Sequence, residues 1–142
     1  MFPGQPVAAG ELQQAAQNQA DGKVTEAISH YREALKLDAD NVQALTQLAW
    51  ILATTGDRSL RDGTEALQLA GRAVRLSEGR SPMTYGVLAA AYAETGQFPE
   101  AINQCRIAAT FAHLTGQTAV AQQNAQLFDY YAAGKTAETA SQ

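Results

Sequence analysis

Apolar side chains recur along this chain three and four positions apart, the period of an α-helix and not the alternation of a strand. From Val24 the positions Ala27, Ile28, Tyr31, Ala34, Leu35 and Leu37 form one stripe, and from Leu45 the positions Leu48, Ala49, Leu52 and Ala53 form the next. Ala66, Leu69, Ala70, Ala73, Val74 and Leu76 continue the pattern, followed by Leu88, Ala89, Ala91 and Tyr92, and then by Ile102, Cys105, Ala108 and Ala109. Two weaker stretches flank these. ELQQAAQNQA before Gly22 is polar but rich in good helix formers, and QTAVAQQNAQLFDYYAAG after Thr115 places Val120, Leu127, Phe128 and Tyr131 about one or two turns apart. The pattern predicts an all-α chain of seven helices.

The punctuation between stripes fits. Ser81 before Pro82 has the form of an N-cap followed by proline at the first helical position, and Asp62 with Glu65 has the form of a capping box, so helices are expected to start near 82 and 63. Gly22, Gly56 and Gly96 stand where a residue tolerant of positive φ ends one helix and turns the chain. Such short turns make each helix pair antiparallel. The ends, residues 1–7 with two prolines and a glycine and residues 134–142 without a large apolar side chain, are expected to be mobile.

The chain also repeats itself. LAWILATTG, Leu48 to Gly56, returns as LAAAYAETG, Leu88 to Gly96. Gly22 and Gly56 lie 34 residues apart and Gly56 and Gly96 lie 40 apart, while Ala27 and Ala34, Ala66 and Ala73, and Ala101 and Ala108 keep one internal spacing of seven. Helix geometry is constant and linkers vary. Of the extra residues in the middle unit, five fall between Gly56 and Ala66 and one near 78–80. A fixed lag of this length marks stacked helix pairs, each unable to bury its faces alone.

These features, and DGKVTEAISHYREALKLDADN from Asp21 to Asn41 above all, resemble the tetratricopeptide repeats, with Ala39 where that family usually has proline. The resemblance implies a right-handed superhelix, an α-solenoid of three helix-turn-helix repeats plus a C-terminal capping helix. The repeats run from about 8 to 41, 42 to 81 with an insertion at 57–63, and 82 to 115, the cap covering 116–133, all as a single domain over 8–133. Gln122, Gln123 and Gln126 suit the wet face of such a cap. The central and C-terminal repeats also resemble the closing repeats of large bacterial proteins of this family, some joined to membrane glycosyltransferase domains. An accessory array of a larger enzyme is therefore one alternative to an interaction module, and end-to-end stacking of copies into a homo-oligomer is another.

Composition narrows the choice. At 142 residues the chain suits one domain, and much of its 46% hydrophobic content is alanine, so many thin contacts are expected in place of one thick core. A formal charge of −4 gives nucleic acid a poor prior. No signal peptide and no apolar run long enough for a transmembrane segment occurs, so the chain is expected to be soluble, without direct membrane insertion, and a cytoplasmic location is favoured. His30 and His113 have no ligand partners at metal spacing, Cys105 takes a core place, and neither a phosphate loop nor a serine elbow is present. No catalytic residue, metal or cofactor is expected.

What remains is binding. The resemblance implies that the first helix of each unit lines a concave face through its second, fifth, ninth, twelfth and thirteenth positions. Counted from Val42 these are Gln43, Thr46, Trp50, Ala53 and Thr54, with Gln47 beside them; counted from Pro82 they are Met83, Gly86, Ala90, Ala93 and Glu94, with Val87 beside them. The first unit offers Leu12, and with it Ala9, Ala16, Gln19 and Ala20. A protein or peptide partner is expected there, with Trp50 either its anchor in a floor of small residues or a core residue packed against the adjacent unit. Lysine, arginine and asparagine, which some members use to clamp a terminal carboxylate, occupy none of these positions. The insertion, GDRSLRDGTE, is expected to be a loop fixed by its own ion pairs and by the Asp62 cap, and a phosphate site among Arg72, Arg75 and Arg80 is disfavoured by the interleaved acids.

Overall fold

The structure, a computed structural model, describes residues 5–136. The seven helices are α1 (Gln5–Ala20), α2 (Val24–Leu37), α3 (Val42–Thr54), α4 (Gly63–Leu76), α5 (Pro82–Glu94), α6 (Phe98–Leu114) and α7 (Thr118–Ala132). No strand occurs among the described residues. α1 starts ahead of the Ala8 at which the repeat count places the first unit, because a proline in the first helical turn removes only an N–H that has no partner there. Of the ends expected to be mobile, 1–7 and 134–142, residues 1–4 and 137–142 lie outside the described residues, while 5–7 belong to α1 and Gly134 to Thr136 follow α7.

Neighbouring helices pack as pairs, α1 on α2, α3 on α4 and α5 on α6, and α7 lies along α6. α3 also packs along α5, and the second helix of each pair packs on the first helix of the next, α2 on α3 and α4 on α5. Alanine sets the spacing. Ala27, Ala34, Ala66, Ala73, Ala101 and Ala108, the repeated alanines of the second helices, are all fully buried. Between these thin seams sit a few large side chains, chiefly Tyr31, Leu45, Leu48, Leu52 and Tyr131. On the second-helix side Arg32 meets Glu65 at 2.6 and 3.1 Å and Arg72 meets Asp40 at 3.1 Å, joining the first unit to the second. Both pairs are solvated, so each contributes less than about 1 kcal/mol.

One backbone bond closes every turn within a helix pair. Lys23 N–H donates to the Asn18 carbonyl and Gln97 N–H to that of Tyr92, across Gly22 and Gly96 at φ of 75° and 80°. These are left-handed C-terminal turns that glycine adopts without strain. Gly56, expected to do the same, is not at positive φ. The insertion explains why: the Leu52 carbonyl accepts instead from Asp62 N–H at 2.8 Å, the residue five places beyond the Asp57 that the shorter turns would use. The extra residues loop out and the helix pair closes as the others do.

The looped-out segment is ordered from within. The Asp57 side chain accepts from the Ser59 hydroxyl at 2.7 Å and from its N–H at 3.0 Å, which holds the Asp57 carboxyl below the usual range. Arg61 donates to the Thr55 carbonyl at 3.1 Å and its Nε lies 2.9 Å from Glu94 Oε1. The insertion therefore fastens the second unit to the end of α5. The Arg61 and Glu94 side chains are only 15% and 18% exposed, so breaking the pair costs more than a surface bridge does. Arg61→Ala is expected to lower stability by about 2 kcal/mol in urea unfolding; a loss below about 0.5 kcal/mol, the scale of an ordinary surface change, would show that desolvation cancels the attraction.

Two expected caps differ in detail. Asp62 accepts from Glu65 N–H at 3.0 Å, but Glu65 reaches to Arg32 and does not complete a box. Ser81 stands at the N-cap of α5 without a side-chain cap bond; the Thr84 hydroxyl donates to the Ser81 carbonyl at 2.8 Å instead. Asn41, which the sequence reading passed over, caps α3 by accepting from Ala44 N–H at 2.9 Å.

α7 is in register with α3 and α5. Counting from Val42, Pro82 and Gly116, the buried Leu48, Ala49 and Leu52 correspond to Leu88, Ala89 and Tyr92, and then to Gln122, Gln123 and Gln126, all three of which are exposed. The helix keeps the position of a fourth first helix and leaves carboxamides exposed where its counterparts hold apolar side chains.

Candidate functional site

The four odd-numbered helices surround a cleft of about 180 Å³. Its lining comes from Gln19 of α1, Gln47 and Trp50 of α3, and Met83, Gly86 and Val87 of α5. α7 supplies Val120, Gln123, Asn124 and Leu127. Every helix contributes from the face that the repeat register turns inward, so the backbone spacing set by the buried alanines also fixes the width of the cleft.

The residues expected to line the concave face divide into groups. Gln47, Trp50, Met83, Gly86 and Val87 border the cleft. Trp50 is half-buried and packs against the core as well as facing the cleft, and Met83 is 48% exposed at its rim. Thr46 and Thr54 return their hydroxyls to the carbonyls of Val42 and Trp50 at 2.6 and 2.7 Å, which leaves them as parts of α3 and not of the lining. Ala90, like Ala53 and Ala93, is buried in the helix packing. Glu94 is held by Arg61, Leu12 packs against the core, and Gln43 is exposed away from the cleft. From the first unit Gln19 reaches the cleft, while Ala9, Ala16 and Ala20 are exposed outside it.

Sequence reasoning missed the α7 wall because that helix read as a cap alone. The signal was present: from Gly116 the fifth, ninth and twelfth positions are Val120, Asn124 and Leu127. Asn124 is the structural centre of this wall. It is 3% exposed, donates Nδ2–H to the Val120 carbonyl at 2.9 Å, and accepts a weak bond from the Cys105 thiol at 3.7 Å. It also accounts for Gly86, since a Cβ there would lie 2.8 Å from Asn124 Oδ1. Glycine lets α5 approach α7 at this point.

No charged side chain lines the cleft. Burial pushes the Cys105 thiol up to about 12, so it stays protonated and is no nucleophile at neutral pH. No group of three or more His, Cys, Asp or Glu side chains placed to hold a metal exists among the described residues, and no helix among them is long and apolar enough to cross a membrane. Of the arginines near the insertion, Arg61 is engaged by Glu94 and Arg72 by Asp40.

Comparison with known families agrees with the register of the helices: residues 12–113 match the tetratricopeptide repeat. The chain belongs to that family. A search of curated proteins found no match. Tetratricopeptide repeats generally mediate protein–protein interaction.

Proposed function

We propose that this tetratricopeptide-repeat chain is a protein-interaction module that seats a segment of a partner protein in its concave cleft and carries out no catalysis of its own. The observation behind this reading is the cleft itself: a half-buried tryptophan, held by the core on one side, faces an uncharged space walled by four helices. A rigid aromatic group already positioned by packing gains binding area at little conformational cost. Preformed walls favour capture of an extended segment or helix without remodelling of the repeat.

The test has two stages. A photo-crosslinking residue at Met83, on the rim, is expected to label a partner in source cells, whereas the same residue at Gln68, exposed on α4, is not. With that partner in hand, Trp50→Ala is expected to weaken binding by about 2 kcal/mol, roughly thirtyfold, while circular dichroism keeps its helical signal. Labelling from Gln68 alone, or a Trp50→Ala chain that binds normally, would move the interface off the concave side.

A further inference from the structure

We infer that the cleft is a socket for one bulky, uncharged side chain of an extended partner segment, with the flanking peptide groups read by glutamine carboxamides. This rests on the proposed function and adds the chemistry of the occupant. Size comes first. At about 180 Å³ the cleft is somewhat larger than the ~150 Å³ cavity that takes up benzene. It holds one leucine- or phenylalanine-sized group, not the row of anchors that a docked helix would present over successive turns.

The lining sets the polarity. Trp50, Val87 and Leu127 give apolar walls, and Gly86 lets the α5 and α7 walls meet beside them. Around them stand Gln19, Gln47 and Gln123, from three different helices. The Tyr31 hydroxyl donates to Gln19 Oε1 at 2.9 Å, which fixes that carboxamide and leaves its NH2 group to donate elsewhere. The side chains of Gln47 and Gln123 and the Trp50 indole N–H make no hydrogen bond among the described residues. Asn124, by contrast, is committed to Val120 and Cys105 and belongs to the wall. A carboxamide carries a donor and an acceptor on one planar group and so matches a peptide unit.

Charge complementarity completes the assignment. With no lysine, arginine, aspartate or glutamate in the lining, a charged side chain or a chain terminus would lose its hydration and gain no counter-charge. The occupant is an uncharged internal stretch of a partner chain. The residues after Thr136, AETASQ, hold no bulky apolar side chain that fits.

The experiment is a nuclear magnetic resonance titration of the full chain with acetylated and amidated Gly-Ser-X-Ser-Gly peptides, X being Phe, Leu, Ala or Asp. The Trp50 indole N–H and the side-chain NH2 groups of Gln19, Gln47 and Gln123 are followed. The Phe and Leu peptides are expected to shift all four signals at millimolar concentration, the Ala peptide to bind at least about tenfold more weakly, and the Asp peptide not to bind. Gln47→Leu, which keeps the bulk and removes the amide, is expected to weaken the Phe peptide several-fold without changing the unfolding midpoint. Equal binding of the Ala and Phe peptides, preference for Asp, or no shift with any of them overturns the socket, and an affinity unchanged in Gln47→Leu overturns the amide reading. In those cases crosslinking from Met83 still decides whether a partner occupies the cleft. Shifts confined to exposed α4 signals such as Gln68 overturn both readings.

Discussion

Leu48→Ala is expected to lower the unfolding free energy by about 3 to 4 kcal/mol, measured by guanidinium or urea unfolding of the whole chain. Leu48 is 1% exposed in α3, the helix that packs on α2, α4 and α5 at once. The surrounding core explains the size of the effect. Its seams are fully buried alanines, which leave little side chain between the helices, so these have little room to close on the space a leucine leaves. Few other large side chains are available to move in. Because α3 lies mid-array, the loss weakens the interfaces on both of its sides, and the transition is expected to shift as one. A cost under about 1.5 kcal/mol, the range of well-tolerated swaps, would show that the seams are softer than their burial implies.

The second large effect is at the other end of the array and has a different form. Tyr131→Ala removes the largest buried side chain of α7, 1% exposed, and is expected to cost about 3 to 5 kcal/mol. Tyr131→Phe is expected to be neutral or stabilising by about 1 kcal/mol, because the Tyr131 hydroxyl is buried and has no hydrogen-bond partner among the described residues. Burial likewise raises its ionisation far above the ordinary phenol range, with the neighbouring Cys105 adding to the effect. α7 meets the rest of the array mainly through α6, so the alanine variant should release that helix first. Hydrogen exchange is expected to quicken across 118–132 while α3 and α5 stay protected. Uniform loss of protection would mean that the array unfolds as a unit even from its end.

The fold was legible because alanine spacing is hard to mistake. Ala27 and Ala34, and their counterparts in the later units, mark the second helices, and the glycines at 22 and 96 mark turns whose bonds the structure contains. Gly56 misled because a turn is closed by its hydrogen bond and not by its glycine: with five residues inserted, Asp62 took the bond and Gly56 was freed of its special conformation. The face proposed to bind was harder to read. A helical register says which way a Cα–Cβ bond points, and so it brought Trp50, Met83 and Gly86 to one cleft, but it does not say whether a polar side chain finds a partner first. Thr46 and Thr54 turned back on their own helix, and Glu94 was taken by an arginine from a loop whose path no periodicity describes. Asn124 was overlooked for the opposite reason, an amide in a glutamine-rich stretch that the structure buries against a glycine from another unit.

The exposed carboxamides of α7 bear on how an array of this kind acquires its length. A further helix pair laid against Gln122 and Gln126 would strip water from two amides at positions where Leu48 and Leu52 offer a dry surface. Each amide left unmatched costs on the order of 1 to 3 kcal/mol, comparable to what a new interface gains from burying one large apolar side chain. Docking against these side chains therefore costs more than docking against the apolar face of an interior unit. Duplication of a unit between α2 and α5 meets no such barrier, since every surface created there is of the kind already paired. The number of repeats is thus free to change in the interior, where each new surface meets one of its own kind.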